Sequence, residues 1–272
     1  MRTFTMGPAI LFCPADRPER YAKALERADA VIIDLEDAVA PDARPEARRA
    51  LLDHPVDSAR TIVRVNPVGT EDFVADMATV EQTAYRTIML AKTETLEDLA
   101  VVANYTVVAL CETALGILNA GQIAASPNVV ALMWGAEDLL ASLGGTSSRK
   151  ESGTYREVAL HARSQLLLAA GAYGKVAIDS VYLDIHDHPG LLGESIDAAA
   201  SGFGAKASIH PGQMPFIRQA FSPSTEQVER AARLLAAAET NAGVFTFEGQ
   251  MVDEPLLRHA RSILERSVQA DM

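Results

Sequence analysis

Three carboxylates fall within four residues at the end of an apolar run: AVIIDLEDAV, residues 30–39, carries Asp34, Glu36 and Asp37. Like charges this close oppose one another's ionisation, so the cluster needs a cation, a proton or open solvent. Other apolar runs carry or end in Arg64 and Asn66, in Lys92, in Glu112 and Thr113, and in Gly135, Ala136, Glu137 and Asp138. Glu112 and Asp138, completed by water and substrate oxygens, have the makings of a magnesium donor set. Nothing beside them indicates zinc. Arg64 offers a planar fork to a carboxylate or a developing enolate, with Glu36 to orient it. Plainer roles are open to the same residues. Glu112 and Asp138 could cap helices starting at Thr113 and Leu139, Arg64 could simply pair with Glu36, and Asp37 could be a solvated turn residue.

Bringing such residues together requires a scaffold, and the spacing supplies one. Eight short β-branched apolar runs recur at 9–15, 30–37, 61–67, 86–92, 106–113, 128–138, 176–184 and 205–211, separated by Ala-, Leu- and charge-rich helical segments. Near-continuous apolar strands alternating with helices describe a parallel sheet covered by helices. The strand count and a length of 272 residues favour an α/β fold of the closed (β/α)8 TIM-barrel type, with the site at the carboxyl ends of the strands. An open doubly wound sheet would put a glycine-rich turn after its first strand, and CPADRPE contains no glycine. The barrel is assigned to residues 1–221. Residues 222–272 read as a helix, a β-like VFTFEGQMVD and a second helix, forming an extension that packs on the barrel or on a neighbouring subunit.

Composition narrows the function classes. The net charge of −12 disfavours nucleic acid and anionic membranes as partners. Cys13 and Cys111 sit in apolar runs and read as buried thiols, so a cytoplasmic protein without disulfides is expected. Several weaker motifs are set aside. Ser147-x-x-Lys150 lacks the companions of a serine acyl-enzyme. The trio from His186 to His188 reads as a polar loop, and LGGTSSRK as a mobile lid. Lys92 could in principle form a Schiff base. Arg17, Arg20, Lys23 and Arg27 lie at helical spacing, either as a solvated face or as a strip for cofactor phosphates.

The pieces LFCPADRPERYAKAL, AVIIDLEDAV, TIVRVN, TIMLAKTE, CETALGILNA, WGAEDLLASLGG, SIHPGQ and FEGQMVDEP run in order along nearly the whole chain. On these, the sequence resembles the beta subunit of citrate lyase and the stand-alone citramalyl-CoA and malyl-CoA lyases of the HpcH/HpaI aldolase superfamily. The resemblance implies a barrel assembled as a homotrimer or hexamer, with Mg2+ held by Glu112 and Asp138. It implies Arg64 in contact with substrate, with Gly135 and Ala136 beside the keto-acid carboxylate. It places CoA near Arg17 and Lys23, and brings Asp253 from a neighbouring chain as proton carrier. Ala91 departs from the proline that relatives often carry before the lysine. The expected activity is retro-Claisen cleavage of a 3-hydroxy-3-carboxyacyl-CoA to acetyl-CoA and a 2-oxo acid. The alternatives are an acyl-CoA thioesterase, a citryl-carrier-protein lyase subunit and a non-catalytic acyl-CoA-binding protein.

Overall fold

The computed structural model describes residues 4–241 and 243–270. Eight parallel strands close into a barrel in sequence order: β1 (Ala9–Pro14), β2 (Ala30–Asp34), β3 (Thr61–Val65), β4 (Thr87–Leu90), β5 (Thr106–Cys111), β6 (Val129–Trp134), β7 (Val176–Asp179) and β8 (Ala205–Ser208). Closure comes from β1 pairing with β8 as well as with β2, which leaves no free edge. The fold is the expected α/β barrel.

Side chains alternate inward and outward along each strand. The inward series is apolar at depth, with Ile10, Ile32, Ile62, Met89, Leu110, Met133 and Ile178 in one buried cluster. Burying each such side chain contributes about 1.5–3 kcal/mol. Two residues above Ile32, Ile62 and Leu110, the same series reaches Asp34, Arg64 and Glu112. The barrel thus changes from hydrocarbon floor to charged mouth within one step of the pleat. Every expected strand ends earlier than its apolar run, because the residues past the ladder turn outward as loops that carry polar groups.

Helices follow the strands: α1 (Tyr21–Arg27), α2 (Arg44–Asp53), α3 (Glu71–Val80), α4 (Leu96–Ala100), α5 (Ala114–Leu118), α6 (Ala120–Ala125), α7 (Ala136–Ser142), α8 (Glu157–Ala172), α9 (His188–Ser201) and α10 (Met214–Phe221). Caps set their starts: Thr70, Thr113 and Asp187 each accept a backbone N–H, and Thr95 forms a capping box with Asp98. Helix α8 buries Ala159, Ala162, Leu166 and Ala169, yet Arg163 lies in the same stripe. Its guanidinium donates to Asp179, which sits on the outward face of β7 and is fully buried. Asp179 also accepts from the indole N–H of Trp134 and from Lys206 Nζ, at 2.8 and 2.9 Å. Lys206 continues to Glu194, and Glu194 to Arg149.

The chain divides into two compact units, with the boundary between Ile217 and Arg218. In the second, α11 (Thr225–Thr240) and α12 (Glu254–Ala270) flank a hairpin of β9 (Phe245–Phe247) and β10 (Gln250–Val252). Ala231, Leu234, Val252 and Ala260 are its buried core. The hairpin turn has positive φ at Glu248 and Gly249, as a two-residue turn matching the strand twist requires. Among the described residues, no helix is long and apolar enough to cross a membrane.

Candidate functional site

Asp34 and Arg64 are register partners on β2 and β3, which sets their side chains at one level of the barrel interior. Arg64 donates to both carboxylate oxygens of Asp34, at 2.7 and 2.5 Å, in a bidentate fork. A third nitrogen, Nη1, lies 2.8 Å from Glu36 Oε2 in an ion contact outside hydrogen-bond alignment, and that oxygen has no hydrogen-bond donor. Asp34, rather than Glu36, is therefore the main orienter of Arg64. The Arg64 guanidinium also lies over the Phe12 ring at 5.0 Å. Burial opposes its charge, but Asp34 and Glu36 outweigh burial and hold it firmly protonated.

Glu36 follows the strand on a turn fixed by Asp34, whose Oδ1 accepts its N–H at 3.0 Å. Asn66 steadies the same turn by donating to the Leu35 carbonyl, and is itself held by the buried carboxylate of Asp76. Burial raises the Glu36 carboxyl against the pull of Arg64 and Lys92. Lys92 Nζ donates to Glu36 and lies 3.3 Å from Asp37, 3.8 Å from Glu112 and 3.7 Å from Asp138. Five carboxylates therefore share two cations at the mouth.

Glu112 stands past the end of β5, almost fully buried. It caps nothing: Thr113 caps α5, and Gly135 precedes α7, whose third residue is Asp138. Burial, with Asp138 adding like charge, pushes the Glu112 carboxyl up to about 8 against the opposing pull of Arg64. Gly135 explains how this carboxylate fits. A Cβ there would lie 2.6 Å from Glu112 Oε2, so only glycine leaves the carboxylate in place. Asp34, Arg64, Glu112, Gly135, Ala136 and Asp138 all line one cavity of about 410 Å³, with Phe12, Leu110 and Met133 as its apolar floor.

The donor chemistry fits a hard divalent cation: a buried carboxylate and a half-exposed one face a cavity, with a lysine ammonium already within 4 Å of both. Among the described residues no group of three or more His, Cys, Asp or Glu is arranged to hold a metal. A cation here would have two protein carboxylates, with water and substrate completing its shell.

Arg17 and Lys23 are not among the residues that line this cavity. Arg17 is exposed before α1, 3.9 Å from Asp16, and Lys23 is exposed on α1. Asp253 belongs to the second unit, where its carboxylate accepts the Leu256 N–H at the head of α12. The LGGTSSRK segment is anchored at its far end, while residues 143–147 are exposed. Ser148 is buried and donates to Glu137 Oε1 at 2.5 Å, while Arg149 stacks on Tyr155 and pairs with Glu194. His186 to His188 form no metal group: Asp187 caps α9 and His188 stacks on Phe216. Both cysteines are buried and free. Sequence reasoning passed over Asp34 as the fork partner and Ser180, whose Oγ lies 3.3 Å from the Ala136 nitrogen. Strand alignment would have revealed the first; the second depends on loop geometry. A separate hollow of about 450 Å³ beside Met77, Arg86 and Tyr105 has no converging set, since Arg86 bonds the Thr83 and Tyr85 carbonyls.

Residues 9–211 match the HpcH/HpaI aldolase/citrate lyase family. The chain is 52% identical to the citrate lyase subunit beta-like protein of Mycobacterium tuberculosis, over 97% of each chain. It is 32% identical to the human mitochondrial citramalyl-CoA lyase, covering 93% of this chain and 83% of that one. The crystal structure of protein CitE from Mycobacterium tuberculosis, in complex with magnesium, acetoacetate and coenzyme A, superposes with a TM-score of 0.94 at 52% identity, over 97% of this chain and 99% of that one.

Proposed function

The chain belongs to the HpcH/HpaI aldolase/citrate lyase family, and on that premise we infer that it is a magnesium-dependent carbon–carbon lyase acting on a 3-hydroxy-3-carboxyacyl-CoA of the citramalyl-CoA or malyl-CoA type. The observation that carries this reading is the cavity in which Glu112 and Asp138 face a guanidinium locked by Asp34. Magnesium and CoA accompany the Mycobacterium tuberculosis relative, which supports both as ligands here.

Glu112 and Asp138 would hold the metal. When bound, magnesium supplies Lewis acidity toward substrate oxygens and offsets the excess of carboxylates. Arg64 is the fixed positive charge for the thioester oxygen as it becomes an enolate. Its fork to Asp34 keeps it from reorienting, which is where such stabilisation is strongest. Gly135 and Ala136 give the keto-acid carboxylate a close approach to backbone. The substrate hydroxyl gives its proton to a carrier, the bond between the carbons bearing hydroxyl and thioester breaks, and the enolate carbon takes a proton back from that carrier to become acetyl-CoA. Asp253 from a neighbouring chain is the candidate for carrying that proton, and Arg17 and Lys23 are the candidates for holding CoA phosphates. A homotrimer or hexamer is the expected assembly.

Incubation with Mg2+ and racemic citramalyl-CoA and malyl-CoA, followed by mass spectrometry, tests the reading. Acetyl-CoA with pyruvate or glyoxylate is expected, abolished by chelation and by Glu112→Gln. Free CoA with hydroxy acid would replace the lyase by a thioesterase. No turnover of either would move the protein to carrier-protein substrates or to acyl-CoA binding alone.

A further inference from the structure

Lys92 holds a position that the proposed reaction leaves unused. Its Nζ donates to Glu36, lies 3.3 Å from Asp37, and is 3.8 and 3.7 Å from oxygens of Glu112 and Asp138. Its backbone N–H also reaches Glu112 Oε1, at 3.3 Å. The residue does this with φ +49, a left-handed conformation that is uncommon for any residue with a side chain. Such backbone is retained where its surroundings over-determine it. Here the conformation puts the amide on Glu112 and the ammonium on Glu36, within 4 Å of Glu112. A monovalent cation thus stands where four acids converge, two of them the pair assigned to magnesium.

We propose that Lys92 is an internal competitor for the metal. Its ammonium, held on Glu36 and beside Asp37, places its charge within 4 Å of Glu112 and Asp138 and must draw further back from that pair when magnesium binds. The proposal rests on the reading of Glu112 and Asp138 as the metal pair. It gives the lysine two consequences: magnesium affinity is held down by a cation that must first withdraw, and without metal the neighbouring carboxylates repel one another less. A purely structural ion pair with Glu36 would predict neither, because its contribution would be the same with and without metal.

Magnesium binding by isothermal titration calorimetry, with thermal melts at zero and saturating magnesium, tests this on the wild type, Lys92→Met and Glu112→Gln. Lys92→Met is expected to bind magnesium about tenfold more tightly, near 1.4 kcal/mol. It should also melt below the wild type without metal and gain more in Tm when magnesium is added. Equal affinities, or an equal gain in Tm, would overturn the exchange while Glu112-dependent binding still upheld the metal pair. Equal binding by the wild type and Glu112→Gln would overturn the metal pair itself. Should Lys92→Met not fold, nitrogen-15 lysine NMR of the wild type decides. The Lys92 Nζ resonance must move on adding magnesium, and an unmoved signal refutes the displacement.

Discussion

Two buried ionic networks occupy opposite faces of the same sheet, and they differ in one respect. Outside β6–β8, between sheet and helices, Asp179, Glu194 and Asp197 meet Lys206, Arg163 and Arg149, three acids against three bases. Inside the mouth, among the described residues, Asp34, Glu36, Asp37, Glu112 and Asp138 meet Arg64 and Lys92, five acids against two bases. The difference shows in how each carboxyl holds its proton. Burial opposes ionisation of Asp179, but Lys206 and Arg163 prevail and its pKa is lowered. Burial of Glu112 is reinforced by Asp138, and its pKa rises to about 8. A network closed in charge holds structure together; one left short of cations is ready for a ligand that brings its own.

Neutralising one acid in each network should therefore move stability in opposite directions. Glu112→Gln has the largest effect on function. Turnover should fall about 10³-fold, some 4 kcal/mol, while the metal-free protein becomes more stable by about 1–2 kcal/mol. Asp179→Asn should do the reverse, lowering stability by about 3–5 kcal/mol because Lys206 and Arg163 lose their buried partner. Its turnover, assayed well below its Tm, should stay within a few-fold of the wild type. Melting curves beside steady-state rates check both, and a stabilised Asp179→Asn would break the comparison.

Acidity sharpens it. A lowered folded-state pKa means that Asp179 contributes stability above the unfolded carboxylate value of about 3.9. That contribution is lost as pH falls through the lower folded value. Circular dichroism between pH 2 and 5 should show a steep acid loss in the wild type and a shallower one in Asp179→Asn. Glu112 runs the other way: its raised pKa makes metal-free stability decline as pH climbs from the unfolded value toward about 8. Gly135→Ala comes next in size. The new Cβ meets Glu112, so about 1–3 kcal/mol of strain is expected, with turnover reduced and the far-ultraviolet spectrum unchanged. Smallest are Arg17→Ala and Lys23→Ala: on the proposal that they hold CoA phosphates, each should raise the KM for the CoA thioester a few-fold at constant kcat.

The mouth was largely legible in the sequence because strand ends are marked by a switch from apolar to charged residues, as in VIID and ALCE. The wall was not. Asp179 and Lys206 sit singly inside apolar runs, and only the register of β7 against β8, with α8 laid over them, makes partners of residues 27 apart in sequence. Asp34 falls between these cases: it was visible as part of a cluster, but its fork with Arg64 follows from strand pairing. The anchoring of Arg149 at the end of the 143–150 segment was hidden as well, since the sequence does not bring Tyr155 and Glu194 beside it.

Trp134 is the chain's only tryptophan. It is fully buried, with its indole N–H on Asp179 and its ring edge to Tyr155 at 5.2 Å, one residue before the glycine that shelters Glu112. The protein thus carries a single built-in indole fluorophore at the seam between wall and mouth. Its emission reads the wall with no label attached, shifting red as the indole meets water on unfolding.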